Sequence, residues 1–234
     1  MSERAFPSQP ATASDIACCV MSAVDVFFDL REEEIERINR VMSLREVSKG
    51  RIIYMPNDAG ENLYILKQGR VQLYRLSTDG RKLVLTILGP GGLFGEMSMV
   101  GDGEYQTFAE AVDDSVVCVL GRAEMEWLIM ECPQIALRLV NVIGQRLAET
   151  ESRLKDIAFK SVPARIATLL LRLGGEGRME IHGYTHQEIS EIVGTYRETT
   201  TQTLNDFRAQ GLIAISRKHI EILDEEGLSR IAEN

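Results

Sequence analysis

The sequence predicts an α+β chain: an antiparallel β-domain, then a long helix, then a helix-turn-helix carrying a wing. Three observations carry this prediction. Short apolar segments of period two, each closed by turn residues, fill the chain from Arg51 to Leu120. A seam of period seven runs from Val140 to Ile157. Residues 185–204 start two helices ten residues apart, with a glycine between them. The 234 residues suit one large domain or two small ones, and 44% apolar with 26% charged residues is a globular composition.

The β-domain follows from alternation and punctuation. A short amphipathic helix over Phe27–Arg40 comes first, with Leu30, Ile35 and Ile38 on one side. Strands are then expected at Arg51–Tyr54, Asn62–Lys67, Arg70–Leu76 and Lys82–Leu88, and again at Thr107–Val112 and Ser115–Leu120. Pro56–Gly60, Gln68-Gly69, Asp79-Gly80 and Gly89–Gly92 supply the turns. Short strands at such even spacing predict a small antiparallel barrel or sandwich.

At Pro133 the texture becomes helical for more than twenty residues, and proline suits a first helical turn because its missing N–H costs nothing there. Val140, Leu147 and Leu154 recur every seven residues, and so do Ile143, Thr150 and Ile157 in the offset position. This is the a/d seam of two helices packed on each other, so a homodimer is expected. The alternative is one helix lying along its own domain's core. Arg146, Glu149, Arg153 and Asp156 fall off the seam, where they can stay solvated. Past Ser161-Val-Pro163 another helix, Ala164–Leu173, stops at the glycine-rich 174–177. The domain boundary therefore falls near residues 158–163.

Residues 185–204, THQEISEIVGTYRETTTQTL, are the most informative stretch. Thr185-x-x-Glu188 and Thr195-x-x-Glu198 each read as a capping box, the hydroxyl taking a first-turn N–H and the carboxylate reaching back. Gly194 sits where the turn between the helices needs a positive φ. Ile189, Ile192, Val193 and Leu204 lock the pair, and small Ser190 lets the helices approach. In a helix-turn-helix the second helix enters the DNA major groove. Its first residues here are Tyr196, Arg197, Glu198, Thr199, Thr200, Thr201 and Gln202. Arg suits guanine, Glu the cytosine amino group and Gln adenine, while Thr195, Thr185, His186 and Gln187 at the helix starts suit phosphates. Leu212–Ser216 and Ile220–Leu223 form a hairpin, and Arg217 and Lys218 at its tip are expected against the backbone. A hairpin of helices with a solvated polar face is the bland alternative.

Composition sets limits. Lys and Arg number 26 against 35 Asp and Glu, a net charge of −9, which argues against a general polyanion binder. That acidity is unevenly placed: from 161 to 223 seven basic residues balance seven acidic ones. No run approaches the roughly 18–20 apolar residues of a membrane span, and the first twenty residues lack the apolar core of a signal peptide. A cytoplasmic protein with a flexible leader, and no membrane partner, is expected. Cys18, Cys19, Cys118 and Cys132 have no metal or redox spacing, so reduced thiols are expected. All three histidines lie beyond residue 181, which excludes a His-based metal enzyme in the β-domain. No cofactor, no metal and no catalytic group are expected.

The β-domain with its Gly95-Glu96 turn, the long helix, and Gln187, Glu188, Ile189, Ile192, Val193, Gly194, Arg197, Glu198 and Thr199 in this spacing closely resemble the CRP/FNR family of bacterial transcription regulators. The likeness covers about residues 22–223. It implies a leader over 1–21, a cyclic-nucleotide-binding-like β-roll sensor over 22–131, a dimerisation helix over 132–158 and a winged helix-turn-helix over 159–234. It further implies a homodimer on a pseudo-palindromic site in double-stranded DNA, acting as an activator with RNA polymerase as partner. The effector pocket would hold Gly95, Glu96, Met97, Ser98, Tyr105, Gln106, Thr150 and Glu151, with Glu96 toward a ribose hydroxyl. This pocket is degenerate. Tyr105 and Gln106 stand where the family places an Arg and a hydroxyl residue for the cyclic phosphate, and no Lys or Arg occurs from Leu83 to Gly121. A buried phosphate there meets only like charge. Control without cyclic AMP is expected, by an unknown ligand or by none. Gln202 also replaces an Arg usual one turn into the second helix. Two alternatives stay open: a redox regulator using Cys18 and Cys19 as thiols or in an Fe–S cluster, and a protein-binding sensor module.

Overall fold

The computed structural model describes residues 33, 38, 40–96, 103–175 and 179–233; the leader, Cys18, Cys19, Met97 and Ser98 lie outside them. Of the helix expected over Phe27–Arg40, Glu33, Ile38 and Arg40 are helical. The chain divides into two compact units. One holds the chain up to Leu73 with Ile87–Val142, the other Tyr74–Thr86 with everything from Ile143 onward.

Among the described residues, eight strands lie between Ser43 and Gly121: β1 (Ser43–Val47), β2 (Ile52–Tyr54), β3 (Asn62–Gln68), β4 (Val71–Leu76), β5 (Lys82–Leu88), β6 (Leu93–Phe94), β7 (Phe108–Ala111) and β8 (Ser115–Gly121). They form two four-stranded sheets, ordered β1-β8-β3-β6 and β2-β7-β4-β5. The pairs β1–β8, β3–β8, β3–β6 and β2–β7 are antiparallel. Strand β3 is covered on both faces, which is why Leu-Tyr-Ile-Leu reads as an unbroken apolar run. Leu63 and Ile65 join a core with Cys118, Leu120, Met125, Leu128, Ile135 and Leu139. Tyr64 and Leu66, on the other face, join Tyr54, Phe94, Tyr105 and Val117.

Two strands of this region carry weak sequence signals. β1 is mostly exposed and β6 is two residues long, so neither shows the alternation that marks β3 or β5. The helix α1 (Arg122–Glu131) is a further element without such a signal, because Gly121 caps it with no side-chain hydrogen bond. Cys118 overturns the expectation of reduced thiols throughout. It is disulfide-bonded, whereas Cys132 is a buried thiol outside any disulfide. Bridging depends on Cα separation in the folded chain, which spacing in sequence does not reveal.

The long helix α2 runs from Pro133 to Phe159, starting at the expected proline. Ile135 and Leu139 are its buried residues. From Val140 onward none is buried, although Val140, Leu147, Leu154 and Ile157 are 63%, 58%, 65% and 50% exposed. Among the described residues the predicted seam is thus an apolar stripe left largely uncovered, with Ile143 half-buried, which does not match a stripe buried in its own domain's core.

The C-terminal region packs α3 (Val162–Gly174), α4 (His186–Val193), α5 (Arg197–Ala209) and α6 (Glu225–Ala232) with a three-stranded sheet, ordered β10-β11-β9. Its strands are β9 (Glu180–His182), β10 (Ile213–Ser216) and β11 (His219–Ile222). Ile166, Leu170, Ile189, Leu204, Phe207, Ile220 and Leu228 form one core. Helix α6 was hidden in the acidic tail. The Asp224 carboxylate accepts from the Gly227 N–H at 2.9 Å, and Glu225 and Glu226 fill the first turn, where the helix dipole favours negative charge.

Candidate functional site

The first half of the helix-turn-helix is built as its sequence states. At the start of α4 the Thr185 Oγ1 accepts from the Glu188 N–H at 3.2 Å, while the Thr185 N–H donates to the Glu188 carboxylate at 2.7 Å. Both bonds of the capping box are therefore present. Gly194 closes the helix at φ 74° and ψ 47°, the left-handed conformation that a residue with Cβ adopts only at a cost. The second capping box is not formed. Helix α5 is capped by Tyr196, without a side-chain bond, so Glu198 falls one position short of reaching back to Thr195. The helix starts one residue later than the spacing alone predicts.

Two tethers fix α4 against its neighbours. The His186 Nδ1 and Thr201 Oγ1 lie 3.0 Å apart, joining α4 to α5. The Arg165 guanidinium on α3 donates to the Val193 carbonyl at 2.9 Å, satisfying the last turn of α4. Ser190 is 2% exposed and donates to the Gln187 carbonyl, which explains why a small residue stands at this crossing. The Gln187 amide bonds Glu191 at 2.8 Å on the outer side.

Helix α5 divides cleanly by face. Thr200, Thr203, Leu204 and Phe207 are buried at helical spacing, and the Thr203 hydroxyl donates to the Thr199 carbonyl. Arg197, Glu198 and Gln202 are exposed, Thr199 and Thr201 half-buried. Asn205 and Arg208 extend the exposed face by two further turns, and the helical period places them there although the motif stops at Gln202. Tyr196 is exposed at the turn, with the Arg81 guanidinium of the same unit 5.1 Å over its ring. The hairpin β10–β11 is the wing, in register Ile213↔Ile222 to Ser216↔His219. Arg217 and Lys218 form its two-residue tip, both exposed, Lys218 at φ 56°. The face therefore offers the Arg197 and Arg208 guanidiniums, the Glu198 carboxylate, amides and hydroxyls, flanked by a basic wing tip. That is the inventory for hydrogen bonds to base edges and phosphates.

The expected effector residues fall in both units. In the first, Gly95 has φ 88°, and a Cβ there would meet the Asn62 carbonyl at 2.8 Å, so the Gly-Glu turn requires glycine. Glu96 is buried. Tyr105 is 4% exposed and stacks on Tyr54 at 3.8 Å between ring centroids. Its hydroxyl donates to the Asn62 carbonyl at 2.7 Å and accepts from the Asn62 N–H at 3.2 Å. Burial holds this phenol well above its ordinary range, so it stays neutral. Gln106 is exposed. In the second unit, Glu151 is exposed, and the Thr150 hydroxyl donates to the Arg146 carbonyl at 2.8 Å. Thr150 also lines a cavity of about 270 Å³ with Arg153, Leu154, Ile157, Arg165 and Leu169.

Comparison with known proteins gives this arrangement its place. Residues 44–132 match the cyclic nucleotide-binding domain, and residues 164–231 match the Crp-like helix-turn-helix domain. The chain is 31% identical over 212 residues to the cyclic AMP receptor protein of Thermus thermophilus, covering 91% of this chain and 98% of that one. It is 30% identical over 221 residues to a CRP-like cAMP-activated global transcriptional regulator of Mycobacterium tuberculosis, with the same coverage. A solved structure of a CRP/FNR-family transcriptional regulator from Eubacterium rectale is similar at a TM-score of 0.75 and 25% identity, over 88% of this chain and 96% of that one. A β-roll followed by a winged helix-turn-helix, both matched as domains and both shared with full-length relatives, place this chain in the CRP/FNR family of DNA-binding transcription regulators, which are not enzymes.

Proposed function

We propose that the chain is a homodimeric, cytoplasmic transcription activator that binds a pseudo-palindromic DNA site and does not respond to cyclic AMP. The observation that carries the reading is the exposed polar face of α5, held by the Thr185–Glu188 box, the Gly194 turn and the His186–Thr201 bond. Arg197, Glu198, Thr199, Thr201 and Gln202 face base edges. Thr185, His186, Gln187, Thr195 and Tyr196 lie at the backbone, and Arg217 and Lys218 reach phosphates from the wing. The uncovered stripe of α2 joins two chains, setting the recognition helices one helical turn of DNA apart. In this reading residues 22–131 are the sensor, 132–158 the dimerisation helix and 159–234 the DNA-binding domain, with RNA polymerase as the partner at promoters.

Independence from cyclic AMP rests on Tyr105. Two relatives carry cyclic AMP in their names, but here a neutral, buried phenol occupies the position of the phosphate-pairing guanidinium. A cyclic phosphate beside Glu96 would lack a cation. Binding-site selection from random DNA tests the whole reading. One enriched two-fold symmetric sequence, recovered equally with and without cyclic AMP, is the expected outcome. No enrichment overturns the DNA reading, and enrichment only with the nucleotide overturns the effector reading. Transcription from the selected site with bacterial RNA polymerase then separates activation from repression.

Redox control is a second reading with an observation of its own: Cys118 is disulfide-bonded inside the β-roll core. One bridge per chain leaves two of the four cysteines titratable in denaturant. Four reactive thiols in freshly purified protein would remove this reading.

A further inference from the structure

The three-stranded sheet of the C-terminal region carries a cluster that the proposed DNA recognition does not use. Its strands β9 and β11 pair antiparallel with His219 opposite His182, Ile220 opposite Ile181 and Glu221 opposite Glu180. Side chains alternate faces along a strand, so Glu180 and His182 share one face of β9 while Ile181 enters the core. The cross-strand neighbour of His182 on that same outer face is His219. Two of the chain's three histidines and a carboxylate thus meet on three adjacent positions of a rigid sheet.

We propose that Glu180, His182 and His219 form a binding site for a divalent transition-metal ion of the zinc kind. One ligand atom from each residue lies within 4.8 Å of the other two. The His182 Nε2 is 3.1 Å from the Glu180 Oε2, and the His219 Nε2 is 3.9 Å from the same oxygen. A tetrahedral zinc ion with bonds of about 2.0–2.1 Å holds its ligand atoms about 3.3 Å apart, so small side-chain rotations close the set. The His219 Nε2 is buried and makes no hydrogen bond, a costly state for a ring nitrogen that a metal bond relieves. Its Nδ1 lies 3.3 Å from the Ser216 hydroxyl, which orients the ring with Nε2 toward the carboxylate. The imidazoles stack at 4.5 Å between centroids and 12° between planes, which keeps the two rings side by side. Two imidazoles and one carboxylate suit zinc better than the hard ions, and the exposed side of His182 leaves a coordination position for water.

The test uses the full-length chain with Zn²⁺ as probe. Imidazole NMR resonances are followed during titration, with His186 as an internal reference because it bonds Thr201 instead. The His182 and His219 signals should shift together and stop at one equivalent per chain, while His186 stays put. Competition against a chromophoric chelator should show His182→Gln and Glu180→Gln binding roughly tenfold or more weakly than the parent. Both residues are exposed, so these variants fold. Co²⁺ in place of zinc should give a spectrum without the thiolate band that cysteine ligation produces. The proposal is overturned if zinc leaves His182 and His219 unshifted, or if His182→Gln and the parent bind alike.

Discussion

The two ends of this regulator have been treated differently. At the winged helix the residues that would meet DNA are polar, exposed and individually supported: Arg197 and Gln202 project from a helix whose opposite face is buried and whose neighbour is capped and tethered. In the β-roll, the residue that the proposed reading sets in place of a phosphate-pairing arginine, Tyr105, is buried. Tyr105 stacks on Tyr54 within a four-ring group that includes Tyr64 and Phe94. On the proposed reading, the contrast is between an output surface that the fold keeps and an input cleft that has turned into core. Exposed contacts contribute little to folding and are kept for what they bind, whereas a ligand pocket that loses its cation can be repacked with aromatic area.

The strongest way to break the comparison lies between the two ends. Substituting Leu147 and Leu154 by Asp places four carboxylates in the seam of the proposed dimer. Light scattering should report monomers, and DNA affinity should fall roughly 10²–10⁴-fold as the second half-site is lost. A dimer that persists would refute the seam. Tyr105→Ala should destabilise the β-roll by about 3–5 kcal/mol in denaturant unfolding, the range for a buried aromatic. A loss under about 1 kcal/mol would mean that Tyr105 is not core.

Smaller effects sharpen the picture. Arg197→Ala should weaken specific DNA binding by about 1–3 kcal/mol and relax discrimination at one base pair, read by competition gel shift. Equal loss on every sequence would instead make Arg197 a phosphate contact. Thr185→Ala removes the one complete capping box and should cost about 1 kcal/mol of stability, with base preference unchanged. Tyr105→Phe keeps the ring and should cost about 0.5–1.5 kcal/mol, because the Asn62 backbone N–H and carbonyl lose their partner. A Tyr105→Phe loss matching that of Tyr105→Ala would shift the role of this residue from packing to hydrogen bonding.

Legibility followed local signal. Strands β3, β4, β5 and β8, the start of α2 at Pro133, the Thr185–Glu188 box and the Gly194 turn all stand where the sequence puts them, because each is set by neighbours within a few residues. β1, β6 and β9 were missed because an edge or two-residue strand has no periodicity of its own; its partner supplies the hydrogen bonds. Helix α6 carries no prediction from the sequence, since its burial depends on Leu228 meeting a core that includes residues of α3.

Charge by itself pointed the other way. The sequence alone determines that the acid excess lies outside residues 161–223, that no basic residue is available from 83 to 121, and that a helix-turn-helix motif follows a seam of period seven. These are statements about order and spacing, which backbone periodicity converts into local structure. Only the tertiary structure decided that Tyr105 is core, that Thr195 does not cap α5, that Cys118 is bridged, and that His182 stands opposite His219 across 37 residues of chain. Each of those depends on which distant residue arrives at a given place, and packing settles that for the chain as a whole.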